Sequence, residues 1–396
     1  MAKQTIRDLH LAGKKVLVRV DFNVPQAKDG AVSDDRRIRA ALPTLNHALE
    51  QGASLILVSH LGRPAGDPAT DAPFRLDLVA ARLQQLIGRP VRKVDDTVGP
   101  AAQAAAAALE PGEILVLENV RFNKGEKKGD PGFAKQLAAL ADAYVNDAFG
   151  TCHRDEASMV AVPEQFPPET RGIGFLVEKE LQILDTLLKH PRPPMIAIMG
   201  GAKVSDKIGV IENLLPRIDK LLVGGAMTYT FLKAQGHATG KSRVEADKLD
   251  EARRLLELAG PKLVLPSDHL VSESLDPSSK TQVVEGNDIP NDWIGIDIGP
   301  ATVASYAQVL ASAGTVVWNG PMGKFEDEPF RHGTLGVARA MADSPGVTVV
   351  GGGETAEAVE RFGFADRVSH VSTGGGAFLE CLEGKSFNSL RVIPDR

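Results

Sequence analysis

The residues able to do chemistry gather in ten short loops, and the two halves of the chain stock those loops differently. In the first half, RVDFNVP (19–25), SHLGRP (59–64), ENVRFNKGE (118–126) and NDAFGTCHR (146–154) present Arg, His, Asp and Asn. In the second half, MGGAKVSDK (199–207), VGGAMTY (223–229), DIGPAT (297–302), NGPMGKFE (319–326), GGGET (351–355) and STGGGA (372–377) present glycine with isolated Lys, Asp and Glu. Guanidinium forks grip carboxylate and phosphate bidentately, so an arginine-rich set suits a small polyanion. Glycine lets a backbone approach closely, and a helix start offers free N–H groups and positive dipole, so the second set suits a nucleotide. An anionic acceptor on one half and a nucleotide on the other point to phosphoryl transfer.

Several motifs sharpen or limit this reading. The second half has no G-x-x-x-x-G-K-[ST] loop. Lys203 and Lys207 stand four residues apart, a spacing that predicts one shared helix face, either solvated or reaching into phosphate space. GGGETA (351–356) matches the dinucleotide fingerprint G-x-G-x-x-A, but Glu354 is too close for the ribose acid that pattern expects about 20 residues on. An acid at a phosphate-holding helix start makes better sense as a Mg²⁺ ligand, partly through water. His60 and His153 neighbour Arg63 and Arg154 and suit hydrogen-bonding or positioning roles. Cys152 beside His153 is no catalytic dyad on adjacency alone. Cys381 reads as helix packing, and Trp318 as packing near a strand end.

These loops need elements to hold them. Short apolar runs at 16–20, 54–58, 114–117, 143–145, 195–199, 221–223, 263–265, 294–298, 315–318 and 347–350, with a weaker one at 370–372, alternate with Ala/Leu-rich stretches such as 74–87, 101–109, 133–141 and 244–258. Runs apolar throughout, rather than alternating, predict strands covered on both faces, and strand–helix alternation predicts parallel sheets. In such sheets ligands bind beyond the carboxyl ends of the strands, where the ten loops fall. The expected fold is α/β: two doubly wound, Rossmann-like parallel-sheet domains at 1–175 and 191–375. A helix over 176–190 joins them, followed by the breaker Pro191, Pro193 and Pro194, and this segment is the expected hinge.

Composition agrees. A chain of 396 residues with 43% hydrophobic and 24% charged residues fits two globular domains. Net charge is −6, and residues 201–396 carry all of it, with 20 basic against 26 acidic residues. With aromatics at only 5%, neither a nucleic-acid surface nor a membrane surface is expected. Two cysteines exclude a disulfide scaffold, and MAKQTIRDLH lacks an apolar signal core, so a cytoplasmic protein is expected.

Taken in order and spacing, RVDFNVP, SHLGRP, ENVRFNKGE, NDAFGTCHR, GGAKVSDK, WNGPMGKFE, GGGET and STGGGA resemble the phosphoglycerate kinase family over about 9–385. The resemblance implies reversible Mg²⁺-dependent transfer between 1,3-bisphosphoglycerate and ADP, giving 3-phosphoglycerate and ATP, by a monomer whose domains close. It implies that Asp21, Asn23, Arg37, His60, Arg63, Arg121 and Arg154 hold the glycerate ligand, Arg37 being favoured over Arg36 in DDRRIRA. It places Lys203 and Lys207 at the nucleotide phosphates and moving phosphoryl, and Gly224, Gly225 and Gly295 around the adenine. Asn319 and Glu326 fall at nucleotide contacts, with Glu326 at the ribose. Gly352, Gly353, Glu354 and Thr355 form the phosphate and metal loop. Arg37, Lys203, Gly374 and Gly375 face the transferring group. The C-terminal helix and tail fall within 376–396, and the tail, Ser386–Arg396, returns toward the first domain.

Two departures stand out. The family commonly has Asp where this chain has Glu354, and neutral residues or His where Asp155 and Glu156 follow Arg154. Two added negative charges near a phosphate subsite weaken binding unless they point away. Competing readings are a nicotinamide-dependent oxidoreductase using GGGETA and a non-catalytic two-domain anion binder.

Overall fold

The computed structural model describes residues 2–27 and 29–396, without the side chains of residues 68 and 69. The chain divides into two units, Met1–Gln182 with Ser386–Arg396, and Ile183–Lys385. No helix among the described residues is long and apolar enough to cross a membrane.

The first unit contains β1 (Lys15–Val20), β2 (Ser54–Val58), β3 (Val91–Lys93), β4 (Ile114–Val116), β5 (Ala143–Asp147) and β6 (Arg171–Ile173). They form one sheet in the order β3-β4-β2-β1-β5-β6, parallel throughout. The long helix Arg36–Glu50 covers one face because Ile38, Ala41, Leu45 and Ala48 recur at helical spacing and meet Val16, Val18, Val20, Leu55 and Leu57. Each fully buried Leu or Ile here stabilises the fold by about 1.5–3 kcal/mol. The sheet order reverses at β1, whose neighbours are β2 and β5. Loops leaving β1 and its neighbours therefore diverge at one edge and leave a crevice.

The second unit contains β7 (Met195–Met199), β8 (Lys220–Val223), β9 (Leu263–Val264), β10 (Asp268–Ser272), β11 (Thr281–Glu285), β12 (Ile294–Ile298), β13 (Thr315–Asn319), β14 (Val347–Gly351) and β15 (His370–Val371). Six form a second parallel sheet, β15-β14-β13-β7-β8-β9, which reverses between β7 and β13. The other three form an antiparallel sheet, β11-β10-β12, with its own small core of Tyr229, Leu232, Val271 and Ile289.

One expectation needs correction. The run 294–298 is a strand, but as β12 it pairs antiparallel with β10 rather than joining the parallel sheet. The segment 376–396 divides between the two units. The helix Gly376–Leu382 stays in the second unit, where Asn213 Nδ2 donates to the Leu382 carbonyl at 2.7 Å. Only Ser386–Arg396 packs with the first unit, where Gln4 N donates to Pro394 O at 2.8 Å and Arg396 N to Ala2 O at 2.7 Å.

The helix Phe175–Lys189 spans the division between the units. Its first amides are capped from the first unit. Asp147 Oδ1 accepts from Leu176 N at 2.9 Å, and Thr44 Oγ1 from Phe175 N at 2.8 Å.

Candidate active site

At the β1 edge of the first sheet, buried charge is organised by side chains. Arg19, the one charged residue in the apolar run 16–20 of β1, is fully buried. Its Nε donates to Ser158 Oγ at 2.9 Å and its Nη1 to Val20 O at 2.5 Å. Its Nη2 lies 3.1 Å from His60 Nδ1. A guanidinium only donates, so His60 Nδ1 is the acceptor and the ring proton sits on Nε2. Burial, then the charges of Arg19, Arg121, Arg154 and Arg37, hold the His60 pKa well below its ordinary value. His60 is thus a neutral donor at pH 7.

The loops are tied to one another here. Asp21 is buried and pairs with Arg37 Nη1, whereas Arg36 turns to Asp34. Asn23 Oδ1 accepts from Gly62 N at 2.8 Å, and Arg121 Nη1 donates to Gly62 O at 2.8 Å. These contacts lock the loops after β1, β2 and β4 together. Arg154 is half-buried, with Nε 3.3 Å from His153 Nε2, and Arg63 is exposed on the loop that carries His60. Cys152 is buried, and burial pushes its thiol up to about 12, so it stays protonated.

Sequence reasoning did not single out Arg19, Glu126 and Ser158. Glu126 is buried with both oxygens engaged by Ser158, from N at 2.9 Å and from Oγ at 2.5 Å, and Ser158 Oγ in turn accepts from Arg19. A lone charge inside VLVRV was the visible signal for Arg19. Nothing local signals Glu126 or Ser158, which are 32 residues apart.

In the second unit the organising atoms are backbone. Where the sheet reverses, Gly200 N donates to Asn319 O and Gly201 N to Pro321 O, each at 2.9 Å. A Cβ on Gly200 would lie 2.2 Å from Pro321 O, and one on Gly320, whose φ is +92°, 2.2 Å from Gly200 O. Gly224 and Gly225 pack against Met322 and Gly201, and Gly295 sits mid-strand, where the Tyr229 ring fills the space a Cβ would need. Trp318 is buried and donates Nε1 to Gly320 O at 2.8 Å.

Asn319 joins three loops. Its Oδ1 accepts from Lys207 Nζ, and its Nδ2 donates to Gly351 O at 2.7 Å. Thr355 is buried, and its Oγ1 accepts from Gly320 N at 2.7 Å, fixing the helix Gly353–Arg361 against the β13 loop. Gly352, at φ +91°, precedes that helix, and a Cβ on Gly353 would meet nothing within 4 Å, so open space lies at the helix start. Glu354 is exposed in its first turn. Burial holds the Lys207 ammonium below its ordinary pKa, while Asp206, Glu354 and Glu383 pull the other way. Glu326 is exposed, Gly374 N donates to Ser372 Oγ at 3.0 Å, and Gly375 has φ +50° before the helix Gly376–Leu382.

Lys203 and Lys207 do not share a helix face. The helix begins only at Ile208, Lys207 is its N-cap, and Lys203 stands exposed on the loop. Ser205 between them is held out of helix by Glu245, which accepts from Ser205 Oγ at 2.6 Å and from its N at 3.2 Å.

The family model described as "Phosphoglycerate kinase" matches residues 6–385. The chain belongs to the phosphoglycerate kinase family. Phosphoglycerate kinase of Rubrobacter xylanophilus is 54% identical over 396 residues, covering 100% of this chain and 99% of that one. The Moorella thermoacetica enzyme is 53% identical over 399 residues, covering both chains fully. The solved phosphoglycerate kinase of Coxiella burnetii superposes with a TM-score of 0.87 at 41% identity, over 98% of each chain. The kinase is accordingly a phosphotransferase with a carboxyl group as acceptor and takes part in glycolysis. The oxidoreductase reading of GGGETA finds no support in these relatives.

Proposed function

We propose that the first unit binds 3-phosphoglycerate or 1,3-bisphosphoglycerate, the second binds Mg²⁺ with ATP or ADP, and the γ-phosphoryl passes in line between them. The observation that carries this division is the basic cluster of the first unit: Arg19 lies 3.1 Å from His60, Arg37 pairs with Asp21, and Arg121 and Arg154 lie 2.7 and 3.6 Å from one carboxylate oxygen of Glu156. Four guanidinium charges at one sheet edge suit a ligand bearing both a carboxylate and a phosphate. In this reading Arg37, Arg121, Arg154 and Arg63 take the anionic ends, while His60 Nε2–H and Asn23 supply neutral polar contacts. Asp21 orients Arg37.

The nucleophile in the ATP-consuming direction is a carboxylate, already ionised at pH 7, so no general base is required. The residues must position the two ligands and balance charge on the transferring oxygens. Arg37 from the glycerate side and Lys203 from the nucleotide side supply that charge, with the Gly374–Gly375 backbone. Lys207 and the Gly352–Gly353 backbone hold the phosphates, Asn319 and Thr355 keep those loops in register, and Gly224, Gly225, Gly295 and Glu326 surround adenine and ribose.

Glu354 would hold Mg²⁺. A single exposed carboxylate beside open space at a helix start fits a hard cation that takes its remaining ligands from phosphate and water. The ion would neutralise phosphate charge. Both ligands must meet, so the helix Phe175–Lys189 is proposed as the hinge, in a cytoplasmic monomer. Closure would keep water from the acyl phosphate.

The test is ATP consumption with 3-phosphoglycerate and Mg²⁺, coupled to removal of the acyl phosphate. Turnover should need both substrates and vanish with chelator. ATP loss that proceeds without 3-phosphoglycerate would overturn the assignment.

A further inference from the structure

The loop after β5 reads Arg154-Asp155-Glu156, two acids behind an arginine in a basic neighbourhood. Their paths separate. Asp155 is exposed and accepts from Asn388 Nδ2 at 3.2 and 3.1 Å, so its charge is spent on the C-terminal segment. Glu156 turns inward and is 7% exposed. Its Oε1 accepts from Arg121 Nη2 at 2.7 Å and lies 3.6 Å from Arg154 Nη1. Its carbonyl accepts from Met159 N at 2.9 Å and Val160 N at 3.1 Å, so the backbone behind the carboxylate is fixed.

The contact is not needed to place Arg121, which already donates Nη1 to Gly62 O. Nor does it complete the hydrogen bonding of the pair. Arg121 Nε and Glu156 Oε2 are both buried without a partner among the described residues. A buried pair that leaves a donor and an acceptor unmet is a poor device for stability alone. Of the other buried acids in this cluster, Asp21 pairs with Arg37 and Glu126 has both oxygens engaged by Ser158. Glu156 is therefore the acid that meets Arg121 and Arg154 directly, and it occupies a guanidinium nitrogen that an incoming carboxylate or phosphate would use.

We infer that Glu156 is a built-in counter-charge of the basic cluster, a specificity-determining residue that neutralises Arg121 and Arg154 in the absence of ligand and thereby weakens their hold on the anionic substrate. The inference rests on the reading of this cluster as the glycerate site. A resident negative charge within a few ångströms of a bound polyanion repels it more than a surface charge would, because burial lowers the screening. Removing that charge while keeping an acceptor for Arg121 tightens binding, and because the charges are buried and only a few ångströms apart the gain changes little with salt.

The experiment is calorimetric titration of the full chain with 3-phosphoglycerate, for the parent, E156Q and E156D, at low and high ionic strength, with a thermal melt for each variant. E156Q is expected to bind about tenfold tighter at low salt, to keep most of that gain over the parent at high salt, and to melt lower than the parent without ligand. E156D keeps the charge and should stay within about twofold of the parent. If E156Q does not fold, Glu156→Met removes the same charge at similar volume, with the same expectation. Unchanged or weaker binding by the folded charge-free variant overturns the inference, as does an E156D that tightens as much as E156Q. A parent that binds no 3-phosphoglycerate overturns the reading of the cluster and this inference with it.

Discussion

The first unit assembles its polar cluster from side chains on several loops and holds them with buried acids and a histidine. The second assembles its own from glycine backbones that touch where the sheet reverses. Arg37 leans on Asp21, Arg121 on Glu156, and His60 on Arg19. Gly200 and Gly320, in contrast, approach so closely that neither has room for a methyl group. The lesson is a difference in what each region can tolerate. A side-chain cluster can lose a member and keep its scaffold, since sheet and helix carry the packing. The backbone cluster cannot where its glycines meet, at Gly200 and Gly320, because there the backbone itself is the packing.

Arg37→Ala gives the largest expected effect. Removing one preorganised charge-stabilising donor costs about 10²–10³ in turnover. The loss should leave ADP binding close to the parent's, because Arg37 lies in the first unit. Side-by-side steady-state kinetics and ADP titration check this. Turnover within a few-fold of the parent, or an equal loss of ADP binding, would break the division of labour between the units.

Next comes a pair of glycine variants in the second unit. Gly200→Ala places a methyl group 2.2 Å from Pro321 O and 2.5 Å from Gly320 O, both backbone atoms that cannot swing aside. Overpacking of this kind destabilises by about 3 kcal/mol. Gly353→Ala meets nothing within 4 Å and should leave the melting temperature unchanged while raising the KM for ATP, since the methyl group enters the space proposed for phosphate. Denaturant unfolding and kinetics on both variants separate the roles. Equal stability of the two would show that close packing at the reversal is not what fixes the glycines.

The same contrast explains what was legible in the sequence. Central strands are covered on both faces, so β2, β7 and β13 stand out as continuous apolar runs. The edge strand β3, reading VRK, and β6, reading RGI, have too little apolar content to register. The hairpin β10–β11 escaped because β10 opens on Asp268 and His269 and β11, reading TQVVE, exposes Gln282, Val283 and Glu285, so neither forms a continuous apolar run; its presence turned the apolar run of β12 into an antiparallel partner. The loops carrying Arg, His and glycine were legible because residue type alone advertises anion chemistry. What holds them was not. Lys207 contacts Asn319 from 112 residues away, and Arg121 meets Glu156 from 35 away. Sequence spacing assigned Lys203 and Lys207 to one helix face, because no local signal shows that Glu245 bonds Ser205 and delays the helix.

The smallest expected effect compares two of the buried histidines, His60 and His269. His60 in the first unit has a fixed partner in Arg19. His269 in the second faces Tyr229 OH at 3.4 Å and leaves Nε2 buried without a partner among the described residues. Burial pushes the His269 pKa down to about 4. The unfolded chain therefore binds a proton near pH 6.5 that the folded unit refuses, so stability is full above that pH and is lost as pH falls toward 4. Between pH 7 and pH 5 this amounts to about 2 kcal/mol. Asp297 in the same unit works the opposite way: burial pushes its carboxyl up to about 8, which favours the folded state at lower pH over the same range. The slope of the parent alone mixes the two, whereas the difference between His269→Gln and the parent isolates the histidine. Both tryptophans, Trp293 and Trp318, lie in the second unit, so tryptophan fluorescence follows its unfolding and leaves His60 unseen. The variant should lose about 2 kcal/mol less than the parent on acidification across that range. Parallel slopes would mean that His269 takes up its proton in the folded unit as readily as in water, and that the small antiparallel sheet around it is open to solvent rather than sealed.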